Sequence, residues 1–220
     1  MADLGITLAG EQLGLLPEGA LWWPAQRLLM VADAHIGKAV SFRRLGVPVP
    51  QGTTTETLDA ITAAAARTAA QRIVFLGDLL HSARSHAPDT VAALAAWRAR
   101  QAHLQLTLVR GNHDDRAGDP PAALGIEVTD GPLRIGPWAL CHHPEPVAGA
   151  YAIAGHWHPC VVIGGRARER LRLPCFWFGS EADHAVGVLP AFGAFTGMHP
   201  IERRARDRVF AVAGEVVREV

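Results

Sequence analysis

Three short, mainly apolar runs, each broken off by a polar signal, constrain this chain more than any other feature. Residues 28–31 lead into Asp33-Ala34-His35, residues 73–76 into Gly77-Asp78, and residues 104–109 into Arg110-Gly111-Asn112-His113-Asp114. Such runs, bounded by turn residues, read as buried strands of a sheet covered by helices. The intervening segments supply those helices. Residues 53–70 are Ala-rich, place Leu58, Ile61 and Ala65 at helical spacing and open with threonines able to cap. Residues 88–102 begin with Pro88, which suits a first helical position. The resulting order is βαβαβ, with polar side chains delivered at carboxyl ends of strands, where open α/β sheets usually place a site.

From Leu133 onward the pattern changes to short strands separated by Gly and Pro, as in an antiparallel section. Residues 138–141 stop at His142-His143, residues 151–154 stop at Gly155-His156-Trp157-His158, and residues 209–220 alternate about a turn at Gly214. Upstream, residues 6–8 and 20–23 read as strands, and residues 38–50, punctuated by Pro48 and Pro50, as a loop. A hydrophobic content of 49% over 220 residues is enough for one sizeable core. No repeat, low-complexity tract or linker divides it, so one layered α/β domain over residues 1–220 is expected.

Lys plus Arg equals Asp plus Glu at 21 each, so the whole-protein field does not draw in a polyanion, and any nucleic-acid contact must come from local patches. No basic segment followed by an apolar run opens the sequence, and no window reaches the ~20 apolar residues of a membrane span. A cytoplasmic protein without a membrane role is expected. Cys141, Cys160 and Cys175 are widely spaced and outside any CxxC pattern, which predicts ordinary buried thiols.

Five strand ends thus deliver oxygen and nitrogen ligands. Asp33 and His35, two apart on extended chain, would share a face and could hold one ion together, and His156 with His158 would do the same. Gly77, Gly111 and Gly155 beside them permit tight turns and close backbone approach.

The set DxHxG, GD, GNHD, a strand-end His and GHxH, in this order over residues 33–159, resembles the signature of calcineurin-like metallophosphoesterases. The resemblance implies a four-layer αββα sandwich of two mixed β-sheets and two divalent metal ions. Asp33, His35 and His158 would bind one ion, Asn112, His142 and His156 the other, and Asp78 would bridge. Adjacent His142 and His143 compete for one position, with His142 preferred from its place relative to Pro144. Such ions neutralise nonbridging phosphate oxygens and lower the pKa of a water for in-line attack. His113 would face the phosphate as a catalytic group, a role worth roughly two to four powers of ten. Protein phosphatases of this superfamily carry GDxVDRG, whereas this chain reads Gly77-Asp78-Leu79-Leu80-His81. The departure speaks against a phosphoprotein substrate, removes the carboxylate that would orient His113, and makes His81 a second catalytic candidate.

Longer phrases, at residues 31–38, 41–50, 173–179 and 188–197, resemble the ligase-associated DNA damage response endonucleases of bacteria. That resemblance implies a manganese-dependent phosphodiesterase acting on DNA, preferably single-stranded, in repair beside an ATP-dependent DNA ligase, a helicase and an exonuclease. Iron or zinc would suit the same ligands. A phosphodiesterase or phosphatase for a small nucleotide or phosphomonoester is the alternative, and a noncatalytic scaffold a third. Lys38, Arg43 and Arg44 are candidate substrate contacts. Arg166, Arg168, Arg170 and Arg172 would share one face of a strand and could track a phosphodiester backbone, with Trp157, Phe176 or Trp177 as stacking surfaces. His86, His103, His184 and His199 read as ordinary core or surface histidines.

Overall fold

The computed structural model describes residues 3–164, 170–180 and 185–220. In chain order the first half contains strands β1 (Leu4–Leu8), β2 (Glu11–Leu15), β3 (Leu21–Trp23) and β4 (Leu28–Val31), helices α1 (Lys38–Arg44) and α2 (Thr53–Thr68), then β5 (Arg72–Leu76), helix α3 (Pro88–Arg100), β6 (Gln105–Val109), helix α4 (Asn112–Ala117) and β7 (Ile126–Thr129). These strands form one mixed sheet in sequence order, antiparallel from β1 to β4 and parallel from β4 to β7.

The second half contains β8 (Leu133–Ile135), β9 (Trp138–Leu140), β10 (Tyr151–Ala154), β11 (Pro159–Gly164), β12 (Arg170–Phe178), β13 (Val186–Val188), β14 (His199–Pro200), β15 (Arg208–Ala213) and β16 (Val216–Glu219). Among the described residues these form a second mixed sheet in which β9, β10 and β13 run parallel while β12 pairs antiparallel with β11, β13 and β15.

Side-chain alternation explains why the central strands look continuously apolar. Leu29, Val31, Ile73 and Phe75 face Leu58, Ile61, Leu94 and Trp97 of α2 and α3. Their neighbours Leu28, Met30, Val74 and Leu76 face the second sheet, meeting Trp138, Leu140, Ile153, Phe176, Phe178 and Phe210. Both faces of the first sheet are therefore dry, and the core lies in two layers. The architecture is an α/β sandwich of two mixed sheets. On the outer face of the second sheet, Ala152, Cys175, Trp177, Val186, Val188 and Val209 pack with Val147 and Ile201. Among the described residues no α-helix follows Ala117, so the outermost layer expected there consists of loops.

Two helices arise where the sequence suggested none. Residues 38–44 contain no helix breaker; Gly37 and Gly46, at φ 81° and 77°, bound a short helix, and the prolines that suggested a loop lie beyond it. Helix α4 opens on Asn112, and buried Asp114 in its first turn accepts from the backbone N–H groups of Gly111 (3.0 Å) and Leu80 (2.9 Å). Burial raises the Asp114 pKa to about 6 despite these donors.

The loop entering β15 is pinned from inside: buried Asp207 accepts from the Trp177 indole N–H (2.9 Å) and the Arg204 backbone N–H (2.8 Å). Asp207→Ala leaves both donors without this acceptor and should cost about 1–3 kcal/mol. Urea unfolding would register this as a lower midpoint at unchanged slope. Cys160 and Cys175 are buried free thiols as expected, whereas Cys141 is only partly buried; burial pushes Cys175 up to about 12 and Cys141 to about 11, far from thiolate formation at neutral pH.

Candidate active site

Segments following β4, β5, β6, β9 and β10 converge at one end of the sandwich. The chain after β4 remains laddered to the chain after β5: His35 N–H donates to Asp78 O (2.8 Å) and Ile36 N–H to Leu79 O (2.8 Å). Backbone bonds to side chains tie the rest, with His156 N–H donating to Asp33 Oδ2 (2.8 Å) and His113 N–H to Asp78 Oδ1 (2.8 Å). A Cβ at Gly111 would lie 2.4 Å from Asp78 Oδ1, and one at Gly155 2.5 Å from Asp33 Oδ2, so both glycines are required by close approach.

Asp33 and His35 do come together, though not by the extended geometry expected, whereas His156 and His158 do not share one group: His156 turns to His142 and His158 to His35 and Asp33. Asp33, His35, Asp78, His156 and His158 all have left-handed backbone, with φ of 53°, 46°, 52°, 70° and 48°. Such conformations cost L-residues roughly 1–2 kcal/mol each, and here they gather at one place.

The side chains fall into two groups. His158 Nε2 lies 3.3 Å from His35 Nε2 and 3.6 Å from Asp33 Oδ1. On the other side, His142 Nε2 lies 3.0 Å from Asn112 Oδ1 and 3.1 Å from His156 Nδ1. Asp78 spans the two groups, with Oδ2 3.8 Å from His35 Nε2 and Oδ1 3.5 Å from His142 Nε2. The rings are oriented from behind: His142 Nδ1–H donates to Leu76 O (3.0 Å) and His158 Nδ1–H to Gly197 O (3.1 Å). Each Nε2 is then directed into the cluster, where it can serve as a ligand atom. Buried Asp33 Oδ1 has no hydrogen-bond partner among the described residues. Burial, followed by neighbouring charges, drives His35 far below its usual range and His156 down to about 4, so both stay neutral as ligands must. Burial pushes Asp78 up, the sign of a carboxylate that the surrounding protein alone does not neutralise. These donors fit divalent cations.

His143 is exposed, its ring 4.8 Å from that of buried His142 and 4.4 Å from that of His156, so His142 rather than His143 faces Asn112 and Asp78. His113 donates from Nδ1 to the carbonyl of His81 (2.7 Å), leaving Nε2 4.0 Å from Asp78 Oδ2. A backbone carbonyl thus occupies the orienting role for which the sequence offered no carboxylate. The His81 ring stacks on His113 at 4.6 Å, and burial, then His113 and Lys38, lowers its pKa to about 4. Lys38 is half-buried, with its pKa lowered by burial and raised in part by Asp33 and Asp78.

Other candidates lie apart. Arg43, whose guanidinium donates to Pro50 O (3.1 Å), and Arg44 line a different hollow with Pro88 and Asp89. Arg170 and Arg172 are exposed on β12, whereas Arg166 and Arg168, like His184, fall outside the described residues. Phe176 is fully buried between the sheets and offers no stacking face. His199, read from sequence as ordinary, stands beside the site with its ring 6.4 Å from that of His158. Nothing local distinguishes it in the sequence; only the pairing of β14 with β11 brings it there.

An α/β sandwich whose strand ends converge Asp, Asn and His donors in this way defines a metal-dependent phosphoesterase of calcineurin-like type. Among solved structures, the Pseudomonas putida nuclease MPE is similar at 41% identity over the full length of both chains, with a TM-score of 0.86. A phosphoesterase from E. coli, Yfce, is similar at 13% identity over 88% of this chain and 97% of that one, with a TM-score of 0.40. No protein-family profile and no curated protein matches the chain. The chain belongs to the calcineurin-like metallophosphoesterases, in the family represented by the P. putida nuclease.

Proposed function

We propose that this chain is a two-metal phosphodiesterase that cleaves DNA, single strands in preference, acting as a single domain in the bacterial cytoplasm. The observation that carries the chemistry is the bridging position of Asp78 between the Asp33–His35–His158 and Asn112–His142–His156 groups, with Asp33 Oδ1 buried beside them and unpartnered among the described residues. Two divalent cations held there supply the charge that neutralises nonbridging phosphate oxygens and acidifies a water for in-line attack. The chain's own part is to fix that geometry and to handle the departing oxygen. His113, with its Nδ1–H held by the His81 carbonyl, directs Nε2 away from that bond, and as imidazolium it would use its Nε2–H to contact phosphate or protonate the leaving group. His81, stacked on it, limits its rotation.

A nucleic-acid substrate is supported by the P. putida relative, itself a nuclease and similar to this chain over its whole length, and DNA as that nucleic acid is what the sequence resemblance implies. Manganese, and a repair setting beside an ATP-dependent ligase, a helicase and an exonuclease, are what the sequence resemblance implies; no helix among the described residues is long and apolar enough to cross a membrane.

The test is to incubate metal-stripped protein with single-stranded and duplex oligonucleotides and a small phosphodiester, adding Mn, Mg, Zn or Ca, with Asn112→Ala as control. Metal-dependent cleavage of single strands that the control lacks is expected. Hydrolysis of the small ester without attack on DNA would instead assign the site to a small substrate. In the same assay His113→Ala should lower kcat by roughly two to four powers of ten while metal content stays constant, a result that also separates a phosphate-facing His113 from a metal donor beside His35 and His81.

A further inference from the structure

Beside the cluster, on the side of His156, the surface opens into a cavity of about 750 Å³. Trp157, Trp177, His199, Ile201, Arg203 and Arg204 are among the residues that line it. Its volume lies within the ~300–1,000 Å³ typical of small-ligand sites. Trp157 is 40% exposed although its sequence neighbours on both sides belong to the donor cluster, and Trp177, 4% exposed, meets it at a ring-centroid distance of 5.6 Å. The loop carrying the arginines is fastened at Asp207 through Arg204 N–H and Trp177, and Arg203 donates to the carbonyl of Val220. Among the described residues Glu202 is the one acid lining the cavity, against two arginines, so the charge of its lining is positive on balance.

We propose that this cavity receives one unstacked nucleobase of the DNA strand, lying flat on Trp157, while the adjoining phosphate rests at the Asp78 cluster. The inference rests on the nuclease reading above and deepens it. His156 belongs to the cluster and also lines the cavity, so a single nucleotide step joins the two. An aromatic face is indifferent to base identity and contributes binding by stacking, and arginines lining the same cavity complement the backbone charge. A base in duplex has both faces covered by its neighbours and must leave the stack to enter. The cavity therefore selects single strands by shape alone.

The test compares wild-type, Trp157→Ala and Trp157→Phe proteins loaded with Mn, taking the ratio of kcat/KM for a single-stranded oligonucleotide to that for a small chromogenic phosphodiester. Trp157→Ala should lower this ratio roughly tenfold, mainly through KM, and Trp157→Phe should largely restore it. In metal-free protein, the same oligonucleotide should quench tryptophan emission, and Trp157→Ala should lose that quenching. On the wild-type enzyme, an oligonucleotide with one abasic position moved stepwise along it should reveal one position at which the loss is similar. A ratio unmoved by Trp157→Ala, or no sensitive abasic position, overturns the base pocket and leaves the nuclease standing. A wild-type enzyme that hydrolyses only the small ester removes both.

Discussion

Asp78→Asn should abolish turnover while leaving the metal-free protein folded. The side chain is 2% exposed and lies 3.8 Å from His35 Nε2 and 3.5 Å from His142 Nε2, so its two oxygens face the ligating nitrogens of both donor groups. An amide keeps the shape and one oxygen, which still accepts the His113 backbone N–H now held at 2.8 Å. It loses the charge and the second anionic oxygen, so it cannot serve two cations. Lewis-acid stabilisation of a phosphoryl transition state is worth several kcal/mol, and each 1.36 kcal/mol is tenfold, so a loss of at least ~10³-fold in kcat is expected. Elemental analysis after dialysis should find the metal content fall from about two toward one per chain or below. Thermal melting without metal should move the other way or not at all. Burial raises the Asp78 pKa, which means the ionised carboxylate is a cost to the empty fold. A variant that keeps both ions and near-normal turnover would eliminate the bridging assignment.

How much of this could be read from the residues differs from element to element. Strands β4, β5 and β6 were legible because burial on both faces removes polar alternation, and the polar cluster at their ends was legible because Asp, Asn and His are otherwise out of place after such runs. The means of pairing Asp33 with His35 was not. Extended and left-handed backbone both bring such residues together, and sequence spacing does not separate them. Helix α1 was hidden by the prolines that follow it, and α4 by its brevity, since its capping carboxylate Asp114 belongs to a motif already read for its ligands. His199 and the walls of the cavity depend on partnerships across the chain, β14 with β11 and Trp177 with Asp207, which no local pattern encodes. Phe176 and Trp177 both read from sequence as stacking surfaces, because alternation on β12 puts them on opposite faces but only the position of the two sheets says which side is outward.

Gly77→Ala should be more damaging than its size suggests, and a second glycine isolates the reason. Gly77 has φ +81°, and Gly10, at the turn between β1 and β2, has φ +80°. Alanine at either position pays the same left-handed cost, roughly 1–2 kcal/mol. Around Gly10 a Cβ meets nothing within 4 Å, so Gly10→Ala should show only that loss, with metal content and turnover at wild-type values. At Gly77 the Cβ would stand 2.2 Å from His142 Nδ1 and 2.5 Å from its Cγ. The imidazole is 1% exposed and fixed to Leu76 O at 3.0 Å, so it has no empty space to enter without breaking that bond. Either the ring leaves Asn112 and His156, or the turn after β5 carries Asp78 away from the donors it bridges. Both routes disperse the metal ligands. Gly77→Ala is therefore expected to lose a further 1–3 kcal/mol or more beyond Gly10→Ala, from overpacking, and at least ~10²-fold in kcat from displaced ligands. Urea unfolding of the two metal-free variants, run beside their metal content, separates backbone strain from the clash. Equal stability losses with equal turnover would mean that His142 moves freely and that the close packing behind it does not position the site.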